Sequence, residues 1–270
     1  VPVLDSGGLG IYYELHGEGD PFLLLHGFGG AGGSDWRYQI PVFSSRFQVI
    51  TPDLRGHGGT DHPELISGPE FFSEATGDVV RLLTSLDSGP AHVCGYSMGS
   101  SIAAWLYFRI PLSVRSLILV SGAARVNRQI APGLFELWDS MRQPESLDEN
   151  WARVLARLHG EDKWRDLVSN YADAVISRID LDGEVAYSRG GEITCPTLIV
   201  QGSEDKLSPR LLSEELHAVI PDSELVLLQS EHWVPGLRPD EFNAAVLDFL
   251  QRRFGERGLP PDGAEGSDRG

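Results

Sequence analysis

Cysteine is scarce: the 270 residues include two, Cys94 and Cys195. Each sits in or beside an apolar, strand-like run, so the pair reads as two buried thiols rather than a disulfide. No H-E-x-x-H and no cysteine–histidine cluster at zinc spacing occurs, so neither a metal nor a cofactor is expected. The glycine-rich stretch His26–Gly33 lacks the lysine of G-x-x-x-x-G-K-[ST] and does not match G-x-G-x-x-G, which disfavours phosphate cradling. No apolar run approaches the roughly 18 residues of a membrane span. Val1–Asp5 has no basic region leading into a long apolar run, so a cytoplasmic location is expected. The missing initiator methionine leaves room for an upstream segment that has been removed. Basic residues are few, 22 Lys and Arg against 39 Asp and Glu, and the net charge of −17 would repel nucleic acid and anionic membranes. No internal repeat is found.

Hydrophobic residues make up 41% of the chain, enough for one large α/β domain with an insertion or two small domains. The organising stretch is Val93–Ser100. His92-Val93-Cys94 reads as the end of a strand, Gly95-Tyr96-Ser97-Met98-Gly99 matches G-x-S-x-G, and Ser101–Leu106 continues as a helix. Strand, tight turn and helix are the context a nucleophile elbow needs. The turn strains the serine backbone, and glycines two residues away on either side remove side chains that would clash. The helix behind the serine offers free N–H groups to developing negative charge. Taken alone, the five-residue pattern also fits an ordinary strand-to-helix turn.

The rest of the chain supplies the setting. A hairpin over residues 1–20 precedes the short apolar runs Phe22–Leu25, Phe47–Pro52, Ser116–Val120, Pro196–Val200 and Glu224–Leu228. Continuous runs of this kind suit strands covered on both faces. Helices are expected from Ser34 or Asp35 to Ser45, from Pro69 to Leu86, up to Ile220, and from Pro239 to Phe254. Strands at helix-sized intervals imply βαβ units and a parallel sheet. Residues 125–190 break the pattern with helix-like segments near 133–142, 148–159 and 161–178. The expected organisation is a core of 1–124 and 191–254, a helical cap of 125–190 and a disordered tail of 255–270.

Ligands of open α/β sheets bind beyond the carboxyl ends of the strands. The His26 loop, Ser97, Asp205 and His232 all follow strand ends, which puts them on one rim in the chain order nucleophile, acid, histidine. His26 is expected to fix loop shape rather than act as a base. Asp53, Arg55 and His57 read as an ion pair and hydrogen bonds pinning a loop, and His57, His62, His159 and His217 read as loop or surface residues.

From His26-Gly27-Phe28-Gly29-Gly30 through the closing helix, the chain resembles the α/β-hydrolases. The supporting residues are His26-Gly27, Asp53-Leu54-Arg55-Gly56-His57-Gly58, Gly95-Tyr96-Ser97-Met98-Gly99, Gly202-Ser203-Glu204-Asp205 and His232. The insertion and the Asp162–Tyr171 segment look most like the carboxylesterase and biphenyl-hydrolase-like members. The resemblance implies an α/β-hydrolase fold: a mostly parallel eight-stranded sheet with helices on both faces and a short helical cap. It implies Ser97 as nucleophile, His232 as general base and Asp205 as the acid that orients it, with Glu204 the rival. It also implies that the Phe28 and Met98 N–H groups face the oxyanion. Trp36, Trp138 and Trp233 are expected in an apolar substrate pocket. Serine at the nucleophile position argues against dehalogenation. Met98 stands where the family's amino-acid-ester hydrolases carry an acidic residue, which argues against that specificity. Ser100 replaces a frequent glycine, and a small structural effect is expected.

The expected activity is a serine carboxylesterase acting on small to medium apolar esters and on lactones, as a monomer or homodimer. Two alternatives stay open. The same three residues could serve a C–C bond or enol-lactone hydrolase, or the fold could be a non-catalytic ligand receptor or scaffold.

Overall fold

The apolar runs become the strands of a single sheet. The structure, a computed structural model, describes residues 2–62, 70–126, 128–181 and 188–255. The expected tail falls almost wholly outside these residues, as does Pro69 at the expected start of a helix. The elements are β1 (Val3–Asp5), β2 (Gly10–His16), β3 (Asp20–Leu25), α1 (Gly32–Asp35), α2 (Ile40–Phe43), β4 (Phe47–Pro52), α3 (Phe71–Leu86), β5 (Ala91–Tyr96), α4 (Met98–Arg109) and β6 (Val114–Val120). The insertion follows as α5 (Pro132–Met141), α6 (Glu149–His159) and α7 (Trp164–Leu181). The chain then returns to the sheet with β7 (Thr197–Gly202), α8 (Arg210–Val219), β8 (Ser223–Leu228), α9 (Val234–Leu237) and α10 (Pro239–Phe254).

The sheet has eight strands in the order β1-β2-β4-β3-β5-β6-β7-β8. β1 and β2 are antiparallel, β2 is antiparallel to β4, and every later pair is parallel. Strand alternation divides the apolar side chains between two clusters, one on each face. Leu23, Leu25, Val93, Leu117, Leu119 and Ile199 join α3, α4 and α8 on one face. Phe22, Leu24, Cys94, Ile118, Val120, Leu198 and Val200 meet Trp36, Phe43 and the α10 residues Phe242, Val246 and Phe249 on the other. β5 and β7 are buried throughout, as strands covered on both faces must be. The insertion packs onto the first cluster through Phe135, Trp138, Leu155, Trp164 and Tyr171. Among the described residues, no helix is long and apolar enough to cross a membrane.

One expected helix is broken. Instead of a continuous helix from Ser34 or Asp35 to Ser45, α1 and α2 are separate four-residue turns. Tertiary bonds account for the break. The Asp35 carboxylate accepts the Gly27 N–H at 3.0 Å rather than capping a helix. The Gln39 amide donates to Pro235 O and to Asn243 Oδ1, both at 3.0 Å, and Pro41 then opens the second turn.

The strand order reverses direction between β3 and β5, whose connections run to opposite sides. That switch opens a crevice beyond their carboxyl ends. The His26–Gly30 loop leaves β3 and the Ser97 turn leaves β5 at this crevice.

Candidate active site

Ser97 occupies the turn between β5 and α4 at φ 51°, ψ −113°, a conformation few L-residues adopt. The flanking glycines are required by close approach. A Cβ on Gly95 would lie 2.1 Å from Gly99 O, and one on Gly99 would lie 2.3 Å from Leu25 O. The Ser97 N–H donates to Val120 O at 2.9 Å, tying the turn to the end of β6.

The structure brings Ser97, Asp205 and His232 together from three strand ends. His232 Nδ1 lies 2.7 Å from Asp205 Oδ2, and His232 Nε2 lies 3.0 Å from Ser97 Oγ. A carboxylate only accepts, so Nδ1 carries the proton and Nε2 turns a lone pair toward the Ser97 hydroxyl. Asp205 is saturated with donors. Its Oδ1 accepts the Leu207 and Ser208 N–H groups, each at 2.9 Å, and its Oδ2 also accepts Gln201 Nε2 at 3.0 Å. Four hydrogen bonds hold the carboxylate in one orientation. Glu204, the rival acid, is bonded instead to Gln229 at 3.2 Å on the surface. Ser121 is held at φ 50° and donates its hydroxyl to His232 O at 2.8 Å.

Phe28 and Met98 both line the cavity above Ser97, and their N–H groups have no hydrogen-bond partner among the described residues. The loop carrying Phe28 is fixed from below. His26 is fully buried; its Nε2 accepts the Leu54 N–H at 2.9 Å, so its Nδ1 proton goes to Gly27 O at 2.7 Å. Burial pushes His26 down to about 4, which keeps it neutral and suits it to fixing loop shape. Burial pushes the neighbouring Asp35 carboxyl up to about 7, against the opposing pull of the Gly27 N–H. Asp53 accepts the Gly32 N–H at 2.7 Å and the Gly59 N–H at 2.9 Å. Arg55 pairs with Asp78 at 2.7 Å and with Glu74. These residues pin the loop after β4 and do not reach Ser97.

The cavity has a volume of about 400 Å³. Its floor is Ser97, Met98, Phe28 and His232, and its walls include Trp138, Met141, Trp151, Tyr171 and Val175 of the insertion. The Phe28 ring stacks on Tyr171 with centroids 4.0 Å apart. No Lys, Arg, Asp or Glu lines the cavity among the described residues. Among the same residues, no group of three or more His, Cys, Asp and Glu is placed to hold a metal ion.

Several sequence expectations need correction. Trp138 lines the cavity, but Trp36 and Trp233 do not. Trp36 is fully buried on the opposite face of the sheet, 6.2 Å from the Phe242 ring. Trp233 packs over Gly236 and under the Arg37 guanidinium, against the same cluster. Proximity in sequence to a site residue does not set side-chain direction, and the residue after His232 faces away from it. His57 lies in a loop as expected, although buried, whereas His159, expected in a loop or surface position, ends α6 and is buried. Cys94 is buried, but Cys195 is only half-buried. Sequence reasoning missed Gln201, Ser121, Asp35 and His159. Gln201 alone left a signal: an amide side chain directly after the apolar stretch Leu198–Val200 of a buried strand, four positions before Asp205.

Fold, elbow and crevice together define a class, and known proteins agree. The alpha/beta hydrolase family profile matches residues 22–245, and the chain belongs to that family. Hydrolase activity of the alpha/beta-hydrolase type follows from that membership. RutD of Azorhizobium caulinodans, provisionally named a carbamate hydrolase, is 31% identical over 273 residues, covering 92% of this chain and 98% of RutD. The human serine hydrolase BPHL is 27% identical over 248 residues, covering 90% of this chain and 84% of BPHL. The solved structure of Est816, described as an N-acyl homoserine lactone degrading enzyme, superposes with a TM-score of 0.75 at 27% identity. That match covers 92% of this chain and all of Est816, 100%.

Proposed function

We propose that the protein is a serine hydrolase of uncharged carboxylic esters with small to medium apolar groups, lactones included. The observation that carries this reading is the Asp205–His232–Ser97 relay, at 2.7 and 3.0 Å, on the floor of an apolar cavity.

In this reading His232 Nε2 takes the Ser97 proton as Oγ attacks the ester carbonyl. Asp205 holds the required tautomer and stabilises the imidazolium that forms. The tetrahedral oxyanion is met by the Phe28 and Met98 N–H groups, whose freedom from other partners suits them to the task. Such a donor is worth about 2.7–4 kcal/mol of transition-state stabilisation. The C–O bond then breaks, and His232 returns its proton to the departing alcohol. Water, deprotonated by His232, attacks the acyl-enzyme, and collapse of the second intermediate frees the acid and restores Ser97.

The uncharged lining bears on substrate class. An ionised substrate group would lose its hydration there without a counter-charge, at a cost of several kcal/mol on the order seen for buried ions. That favours neutral esters and lactones over anionic substrates. Est816, by its description, acts on an acyl lactone, which fits the same preference. A carbamate carbonyl presents the same electrophile, so the test includes one.

The test is turnover of p-nitrophenyl acetate and butyrate, a lactone series, a carbamate, an enol-lactone and a diketone by wild type and Ser97→Ala. Fluorophosphonate labelling, located by mass spectrometry, identifies the nucleophile. Hydrolysis abolished by the substitution, with the label on Ser97, is expected. Equal rates in both proteins would reject Ser97 as nucleophile. Turnover confined to diketones or enol-lactones would move the protein to C–C or enol-lactone hydrolysis. No turnover of any substrate would favour a receptor.

A further inference from the structure

We propose that Tyr171 of α7 is a specificity-determining residue whose hydroxyl donates to a second, uncharged acceptor oxygen of the substrate. The protein then takes esters or lactones that carry a carbonyl or ether oxygen along an otherwise apolar chain. The inference rests on the hydrolase reading above and narrows its substrate class.

The part of the cavity wall that the insertion supplies is mostly hydrocarbon, with Leu134, Leu137, Met141 and Val175 among its residues. Two deeply buried side chains there end in a polar atom: Tyr171, 7% exposed, and Trp138, 6% exposed. Neither the Tyr171 hydroxyl nor the Trp138 indole N–H has a hydrogen-bond partner among the described residues. Nor is either atom sealed in the core, as the indole N–H groups of Trp36 and Trp164 are. A tyrosine hydroxyl buried this far normally has a partner. The rest of the Tyr171 ring is covered by protein. Phe28 stacks on it with centroids 4.0 Å apart, Phe71 meets it edge-on at 5.6 Å and Phe72 lies at 6.4 Å. What remains open faces the cavity that Tyr171 lines.

The chemistry of these groups sets the kind of partner they call for. Burial pushes the Tyr171 phenol well above its ordinary range, so it stays protonated and able to donate. An indole N–H only donates. Two donors without acceptors, in a lining that holds no charged side chain, fit a neutral oxygen on the ligand. An acceptor oxygen entering this cavity gives up its hydration, and a donor already in place offsets that loss. A saturated chain of the same length leaves the hydroxyl unpaired. The stack also places Tyr171 beside the loop whose Phe28 N–H meets the oxyanion in the reading above. The scissile carbonyl and the second acceptor therefore fit within one small molecule in a cavity of about 400 Å³.

The experiment compares isosteric chains with and without an acceptor, on both sides of the ester bond. On the acyl side, p-nitrophenyl hexanoate is set against the 3-ethoxypropanoate and 5-oxohexanoate esters. On the alcohol side, hexyl butyrate is set against 3-ethoxypropyl and 5-oxohexyl butyrate. Wild type and Tyr171→Phe are assayed for kcat/KM, with Tm alongside, and each rate is divided by that of alkaline hydrolysis to remove intrinsic reactivity. Expected is a wild-type preference for an acceptor chain over its saturated partner in at least one series. Tyr171→Phe keeps the ring that stacks on Phe28 and should lower that preference about three- to tenfold. A wild type with no such preference in either series overturns the proposal, and this arm needs no variant to fold. A preference that Tyr171→Phe retains within about twofold overturns it too, because another group then holds the oxygen. So does an equal loss on acceptor and saturated chains with a lower Tm, which would leave Tyr171 a packing role alone. If wild type hydrolyses none of these esters, hexanoate included, the hydrolase reading itself falls. Hexanoate turned over without an acceptor preference sinks this proposal and leaves that reading standing.

Discussion

Gln201 offers a sharp test of how the relay is held. It lies next to last in β7, fully buried, and its Nε2 has three acceptors within reach: Asp205 Oδ2 at 3.0 Å, Ser208 O at 2.8 Å and Gly202 O at 3.2 Å. Its Oε1 has no partner, and flipping the amide would aim that oxygen at three other oxygens, so the orientation is fixed by the surroundings. Gln201→Met keeps the shape of the side chain and removes the donors. Asp205 keeps three of its four hydrogen bonds, but Oδ2, the oxygen that faces His232, is left with the imidazole alone.

A hydrogen bond to a charged group is worth about 1.5–3 kcal/mol, and tenfold in rate corresponds to about 1.4 kcal/mol. If most of that energy serves to align Asp205, kcat/KM falls by about 10- to 100-fold. The cost in stability is smaller, because the substitution also removes a buried oxygen that had no partner. Gln201→Glu is the harsher change, since it sets a second carboxylate against Asp205. Its activity loss at neutral pH should exceed that of Met and ease on acidification as the new carboxyl takes up a proton. The assay is p-nitrophenyl butyrate hydrolysis across pH, with Tm measured alongside. If Gln201→Met lowers Tm while kcat/KM stays within about twofold, the amide only braces the Ser208 loop and the alignment argument is wrong.

Trp138→Ala should enlarge the cavity and move the optimum to longer acyl chains; an unchanged chain-length profile would take Trp138 off the substrate path. Asp35→Asn keeps the acceptor for the Gly27 N–H and removes a carboxyl that burial pushes to about 7. Native Asp35 takes up a proton at higher pH than it does unfolded, so it lowers stability increasingly as pH rises from about 4 to 7. The variant should therefore melt a few °C above wild type at pH 8, with the gap closing toward pH 4.5. An equal difference at both pH values would contradict this. Acid should destabilise the fold through His26, His92 and His159, all pushed by burial to about 4. Unfolded histidines titrate near 6.5, so from there down to about 4 the unfolded chain binds more protons and each group removes up to about 1.4 kcal/mol per pH unit. Asp35 and Asp53, both raised, work the other way and offset part of it. A urea midpoint that holds steady or rises between pH 7.5 and 5 would show that these rings are not held neutral.

What the sequence revealed and what it hid divide along a physical line. Burial on both faces writes itself into composition, so Phe22–Leu25, Ser116–Val120 and Pro196–Val200 were legible as central strands from their apolar runs alone. The helical insertion was legible because 125–190 loses the strand rhythm, and α5, α6 and α7 fall close to the expected segments. The tight turn at Ser97 was legible because its glycines answer a local steric need, within two residues on either side. Features set by distant partners were not legible. The break between α1 and α2 depends on Asn243, 204 positions after Gln39. The His159 ring bonds to Gly58 N–H and Gly29 O, 101 and 130 positions away. Trp36 and Trp233 were misplaced for a related reason: their positions along the chain are near the site, but their direction is decided by the cluster beneath α10.

The same contrast explains why a strained site can be accurate. Ser97 and Ser121 both sit at positive φ, each costing on the order of 1–3 kcal/mol. Loops alone would relax that strain. Here the sheet's hydrogen-bond ladder runs on past the strands into the site. The Ser97 N–H donates to Val120 O at 2.9 Å, the Ser121 N–H to Val200 O at 2.9 Å, and the Ser203 N–H to Leu228 O at 2.8 Å. Each turn is thereby tied to the end of the next strand, from β5 across to β8. The Ser121 hydroxyl closes the circuit by holding His232 O at 2.8 Å. The distance between Ser97 and His232 is thus set by parallel register, the stiffest feature of the fold, rather than by loop conformation. Loosening the insertion should move the Phe28 ring, which stacks on Tyr171, well before it disturbs the relay.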